Sequence, residues 1–199
     1  RTALDIAETI DGIGGIINAY TTHEFTSYYT RTLKEDSCLA LDVLFDMLTQ
    51  SSLDEEDIEK EKKVILEEIN MYEDDPGNFV VEEFSKNLFK DSPYGSSILG
   101  DKELVVKLDK KILKHYLESH YRPEKMILVV AGNFDEELLS AIGRTFGSLK
   151  PSSAQVEDEG DDGKATPFGI RILERDNVNQ IYFAAGFEGV GKSSPHYYH

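Results

Sequence analysis

The chain has 199 residues, 40% hydrophobic and 10% aromatic, which is enough apolar material for a packed core and excludes disorder along the whole length. Its 21 basic and 38 acidic residues leave a net charge of −17, and a surface that acidic repels phosphate backbones, so nucleic acid is excluded as a partner. No apolar run approaches the roughly 20 residues of a membrane-spanning helix, and a single cysteine, Cys38, excludes an intrachain disulfide.

Ala3, Leu4, Ile6, Ala7, Ile10 and Ile13 recur at helical spacing, and Gly12, Gly14 and Gly15 close the run, which predicts a helix over 2–13. Residues 16–33 change period. They are rich in Ile, Tyr, Phe and Thr and predict two strands turning near 22–24, with Phe25, Tyr28 and Tyr29 as sheet core. Helical spacing returns over 36–49, where Cys38 reads as a packed small residue. Ser52 with Glu55 three residues later has the capping-box pattern ahead of a long helix reaching about Tyr72. Further helices are predicted over 79–89, 109–120 and 135–146. Between the last two, residues 126–131 (MILVVA) form a short continuous apolar run ending at Gly132-Asn133, the pattern of a strand buried on both faces.

Residues 151–166 have Val156 as their only large apolar side chain and read as an acidic linker. Beyond it, 168–173 and 179–187 are strand-like. The elements together predict an α+β fold. A mixed, largely antiparallel sheet with helices packed on one face occupies 1–150, the linker follows at 151–166, and 167–199 are the opening strands of a second, similar domain.

Two carboxylates stand out on the long helix. At about 100° per residue, Ile58, Ile65, Ile69 and Tyr72 gather on one face, and Glu61 and Glu68 fall with them. A carboxylate turned toward a core requires a cation, a metal or a raised pKa. The pattern by itself leaves two accounts open: both glutamates reach solvent or a basic partner at the stripe's edge, or they serve a metal or a reaction. Gly12-Ile13-Gly14-Gly15 follows a helix and leads into a strand, the reverse of the order a dinucleotide site needs.

Five ordered segments carry a family resemblance: Ala7-Glu8 through Gly14-Gly15-Ile16-Ile17-Asn18-Ala19-Tyr20-Thr21; Glu59-Lys60-Glu61-Lys62-Lys63-Val64-Ile65-Leu66-Glu67-Glu68-Ile69; Pro93-Tyr94-Gly95 with Ile98-Leu99-Gly100; Tyr121-Arg122-Pro123; and Val129-Val130-Ala131-Gly132-Asn133. The chain resembles the pitrilysin/insulinase superfamily of zinc peptidases, most of all its mitochondrial-processing-peptidase branch and the related bacterial processing proteases. The resemblance implies a metalloendopeptidase acting on extended or unfolded polypeptides, with Zn2+ as cofactor. It implies Glu68 as the distal zinc ligand and Glu61 as a second glutamate supporting the site. It places Asn18, Ala19, Tyr20 and Thr21 on an edge strand that takes up substrate as an added β-strand. It further implies a two-half clamshell or dimer, and a bacterial cytoplasm or an organellar matrix as compartment.

The sequence departs from the family pattern at one place. The inverted H-x-x-E-H zinc motif is absent from these 199 residues. Of His23, His115, His120, His196 and His199, no pair stands four apart around a Glu. The resemblance places the motif just before Arg1, so the expectation is either a longer protein that carries it or descent from an inactive, peptide-binding paralogue. The residues present supply at most one zinc ligand and no general base.

Overall fold

The computed structural model describes residues 1–90, 92–151, 166, 169–176, 178–187, 189–191 and 194–197. Most of the expected linker, residues 152–165, and the first two residues of the expected second domain lie outside the described residues. By internal contacts the chain forms two compact units: Arg1–Ile58 with Leu108–Glu157, and Glu59–Lys107 with Asp158–His199.

The first unit opens with α1 (Ala3–Asp11), started by a reciprocal capping box. The Asp5 amide donates to the Thr2 hydroxyl at 3.1 Å and the Thr2 amide to the Asp5 carboxylate at 2.7 Å. Gly14, at φ +65°, turns the chain out of the helix. Gly15 lies so close to Ile10 and Thr32 that a Cβ there would meet their methyl groups at 3.0 and 2.9 Å. The backbone thereby passes directly under the helix into the hairpin of β1 (Ile16–Thr21) and β2 (Thr26–Arg31), which is antiparallel with Ile17 opposite Thr30 and Ala19 opposite Tyr28. The helix α2 (Ser37–Thr49) follows. Ile10, Ala40 and Val43 form the core of this unit, with Ile6, Ile13, Ile17 and Met47 packed around them. The helices cover one face of the hairpin. The fold is α+β, as expected.

Because Ile10 is fully enclosed between α1, α2 and β1, Ile10→Ala leaves a cavity as well as losing transfer energy. It is expected to lower unfolding free energy by about 2–5 kcal/mol, read as an earlier denaturant midpoint at unchanged slope.

The first unit also contains α6 (Lys110–His120) and α7 (Glu136–Arg144). Asp109 caps α6 by accepting from Ile112 N–H at 2.7 Å. Asp135 caps α7 by accepting from Leu138 N–H at 3.2 Å, and Lys34 Nζ sits 3.1 Å from the same carboxylate. The Lys34 contact first, and then the helix N–H groups, hold the Asp135 carboxyl below the usual carboxylate range. A group held low in the fold contributes stability above its unfolded pKa of about 3.9 and loses it as pH falls through the lower folded value. Asp135→Asn keeps a capping oxygen but not the charge. It is expected to lower the melting temperature at neutral pH, with the difference shrinking as pH falls below the unfolded value; melts of both proteins at neutral and at acid pH check this.

The second unit holds most of α3 (Glu55–Asp74), α4 (Pro76–Leu88) and α5 (Lys102–Lys107), with Ile69, Leu88 and Val105 buried. Here α3 starts at Asp54, whose carboxylate accepts from Glu56 N–H at 3.0 Å, and not at the expected Ser52. Leu53 intervenes at φ +48° and turns the chain between them. The break after α3 is one residue long: Asp75 accepts from Asn78 N–H at 2.9 Å, and Pro76 occupies the first turn of α4. Arg175 lies 4.8 Å over the Phe79 ring and donates to the Glu73 carbonyl, satisfying an open acceptor in the last turn of α3.

Two expectations about the sheet are corrected. Residues 126–131 make no strand ladder, and Ile127 and Val129 are 90% and 77% exposed rather than buried on both faces. The described residues of 168–173 and 179–187 likewise make no strand ladder. Apolar content allows a strand, but only a neighbouring strand that satisfies its N–H and C=O groups makes one. Among the described residues, β1 and β2 alone are paired.

Candidate functional site

The hairpin geometry follows from its turn. Thr22 N–H donates to the Phe25 carbonyl at 2.8 Å, while the Thr22 hydroxyl accepts from the amides of Glu24 (3.2 Å) and Phe25 (3.1 Å). Thr22 and Phe25 are therefore a hydrogen-bonded pair. In an antiparallel ladder such pairs alternate with non-bonded ones, so the register makes Tyr20–Ser27, Asn18–Tyr29 and Ile16–Arg31 bonded and Thr21–Thr26, Ala19–Tyr28 and Ile17–Thr30 non-bonded. The N–H and C=O groups of Ile17, Ala19 and Thr21 consequently point away from β2, toward an edge of β1 that carries no strand among the described residues. Of the four residues expected on an edge strand, Ala19 and Thr21 present outward backbone groups, and Asn18 and Tyr20 hold the strand to β2.

The side chains divide by face. Ile17 packs on the helical core, and the Tyr28 hydroxyl reaches Tyr121 at the end of α6 at 2.9 Å. Partial burial first, and then this hydrogen bond, push the Tyr28 phenol well above the usual tyrosine range. Since Tyr28 stands opposite Ala19, the bond ties α6 to the middle of the candidate edge. On the opposite face Tyr20 meets Phe25 and Tyr29 edge-on, with centroids at 5.9 and 6.4 Å. Tyr20, Phe25 and Tyr29 are about half exposed, so of the three aromatics expected in the sheet core only Tyr28 turns inward. Tyr121 was visible in the sequence only as part of a family segment; no local pattern marks its bond across 93 positions.

On α3 the expected inward pair is corrected. Glu61 and Glu68 are both exposed, and the covered side runs through Ile58, Lys62, Ile65, Leu66 and Ile69. The two glutamates still share a side of the helix, being about 20° apart in projection. They belong to the second unit and the β1 edge to the first. A zinc site needs three or four ligands, and among the described residues no group of three or more His, Cys, Asp or Glu could hold a metal ion. The described residues therefore do not make a zinc site by themselves. What they offer is one exposed carboxylate with a second on the same side.

With this geometry in view, the chain belongs to peptidase family M16: residues 1–102 match Insulinase (Peptidase family M16), and residues 107–199 match the Peptidase M16 inactive domain. It is 34% identical over 190 residues to the "Uncharacterized zinc protease YmxG" of Bacillus subtilis, covering 96% of this chain and 46% of that protein. It is 39% identical over 198 residues to the "Uncharacterized zinc protease ML0855" of Mycobacterium leprae, covering 98% and 44%. The chain thus spans less than half the length of these relatives. Among solved structures it is similar to a putative M16-like peptidase from Alicyclobacillus acidocaldarius (TM-score 0.67, 27% identity, 77% of this chain and 36% of that one). It shares its fold with a protease from Helicobacter pylori (TM-score 0.72, 21% identity, 78% and 38%). No helix among the described residues is long and apolar enough to cross a membrane.

Proposed function

We propose that this chain is the part of a zinc-dependent metalloendopeptidase, of processing-peptidase type, that receives an extended polypeptide along β1 and contributes Glu68 as one zinc ligand. The observation that carries the reading is the row of outward N–H and C=O groups at Ile17, Ala19 and Thr21, in a chain whose relatives are named zinc proteases. Such a row binds any extended backbone and takes little account of side chains, which suits an enzyme acting on unfolded or presequence-like segments. Glu61 supports the metal site from the same side of α3, about two helical turns before Glu68. When bound, zinc supplies a Lewis acid and lowers the pKa of its water. The remaining ligands and the base come from outside these residues, and the complete protein encloses substrate between two such halves in a bacterial cytoplasm or an organellar matrix.

A second reading, a non-catalytic peptide-binding member of the same family, is favoured by one observation: the β1 edge needs no metal, and the described residues assemble none. One experiment separates the two. The full-length protein is expected to cleave an unstructured peptide, to stop when zinc is removed by a chelator, and to resume when zinc is restored. Binding of the peptide without any cleavage at saturating zinc would sink the peptidase reading and leave the second.

A further inference from the structure

The central donor of the β1 edge is already engaged. Ala19 N–H, which faces outward by the alternation set at Thr22, donates to the side-chain Oδ1 of Asn18, its own chain neighbour, at 2.8 Å. Both residues are exposed, so this bond forms at the open edge and not inside the packing. Asparagine is a poor choice for the middle of a strand, where β-branched and aromatic residues pack better and its amide competes locally for backbone groups. Here that competition has a definite target: of the three outward N–H groups on β1, the carboxamide covers the middle one.

We propose that the Asn18 carboxamide is a resting cap on the peptide-accepting edge, one that an incoming strand must displace. An open edge is a liability, since its unpaired donors and acceptors can pair with any extended chain, including another copy of this protein. A side chain that covers the central donor blunts that tendency without closing the edge, because the cap is a single neutral hydrogen bond held by a freely rotating exposed side chain. When a peptide is added in register, one of its carbonyls takes the Ala19 N–H and the Asn18 Oδ1 leaves. The neighbouring outward groups of Ile17 and Thr21 remain available on either side, so the strand can begin pairing there and drive out the cap as it zips. The resting enzyme is thereby protected at the point where docked substrate is held most centrally, and productive substrate is restricted to chains long enough to pair on both sides of Ala19. Short peptides that reach Ala19 alone gain one hydrogen bond and break one.

This inference rests on the reading of β1 as the peptide-accepting edge, and the test keeps the two apart. Binding of a fluorescent, net-neutral, unstructured peptide to the full-length protein is measured by polarisation, with chelator present so that nothing is cleaved. Asn18→Ala removes the competitor and is expected to tighten binding about 2- to 10-fold, the worth of one neutral hydrogen bond. Asn18→Asp replaces the cap with a charged acceptor, which makes a stronger hydrogen bond, and is expected to weaken binding several-fold. Opposite signs from two substitutions at one exposed position are not what a simple structural role or a simple substrate contact produces. Looser binding in both variants, or no change in either, overturns the cap. The control is Ala19→Pro, which deletes the N–H itself: if it binds peptide as tightly as the wild type, the edge reading fails together with the cap. Unchanged melting temperatures across the three variants show that the hairpin is intact. Self-association supplies a second readout, with Asn18→Ala expected to form dimers or larger species at lower concentration than the wild type. A wild-type association profile in that variant counts against the protective role.

Discussion

Replacing Ala19 with proline is expected to reduce peptide cleavage by the full-length protein on the order of a hundredfold, the usual cost of displacing a bound substrate from its reactive position. Proline within a sheet normally breaks a ladder hydrogen bond, but the outcome depends on which way the lost N–H pointed. At Ala19 it points outward, so the bonds of Asn18 and Tyr20 to β2 survive. The ring also prefers an extended conformation at the preceding residue, which Asn18 already has in β1. The hairpin therefore stays, and what disappears is the donor that a peptide strand would use, with the ring bulk added at the edge. Tyr20→Pro is the informative partner. It removes an N–H directed at Ser27, opens the hairpin, and is expected to lower stability as well as activity. A protein in which Ala19→Pro and Tyr20→Pro lose stability equally would show that the parity assigned to β1 is wrong. Full activity in Ala19→Pro would show that substrate does not add to this edge.

Where local chemistry decided the structure, the sequence was readable. The glycines after α1 and the Thr-rich hairpin are each determined by groups within a few positions, whereas the start of α4, expected at residue 79, lies at Pro76 because Asp75 caps it. The long helix shows where reading stopped. Its apolar spacing runs through Tyr72, which the structure leaves exposed, and passes over Leu66, which it half buries. Exchanging those two residues rotates the covered side by enough to bring Glu61 and Glu68 into solvent. Lys62 then lies along the covered side, with its stem packed and its ammonium on Glu59 at 2.6 Å, a placement that charge alone argues against. The apolar run at 126–131 departs for a different reason, since a strand is a property of two segments and apolar content describes only one of them. The alternation that aims Ala19 outward was likewise invisible until the Thr22–Phe25 bond fixed its phase. Family segments marked residues 18–21 as part of a strand, and the structure places them in β1. Which of its residues face the open edge is a matter of register, and register is tertiary.

The exposure of Glu68 sharpens the test of its role. Glu68→Gln keeps size and one carbonyl oxygen but removes the charge that a zinc ion would bind. At an exposed helical position with no hydrogen bond or ion pair to lose among the described residues, such a change normally moves stability by less than about 0.5 kcal/mol, so a loss of function cannot be attributed to unfolding. In the full-length protein it is expected to lower bound zinc at limiting metal, and peptidase activity with it, by an order of magnitude or more. Zinc content measured on the purified protein is the primary readout, because it does not depend on how substrate is held. Glu61→Gln, which keeps Glu68, is expected to weaken zinc retention less. The two effects order the glutamates: a ligand loses metal when neutralised, and a supporting carboxylate mainly lets the ligand shift. Wild-type zinc content in Glu68→Gln would refute the assignment, and a greater loss in Glu61→Gln would exchange the two roles. Combining Glu68→Gln with Asn18→Ala then asks whether metal and edge act separately. Because peptide binding is read with chelator present, the edge variant should keep its tightened peptide binding when the zinc ligand is gone.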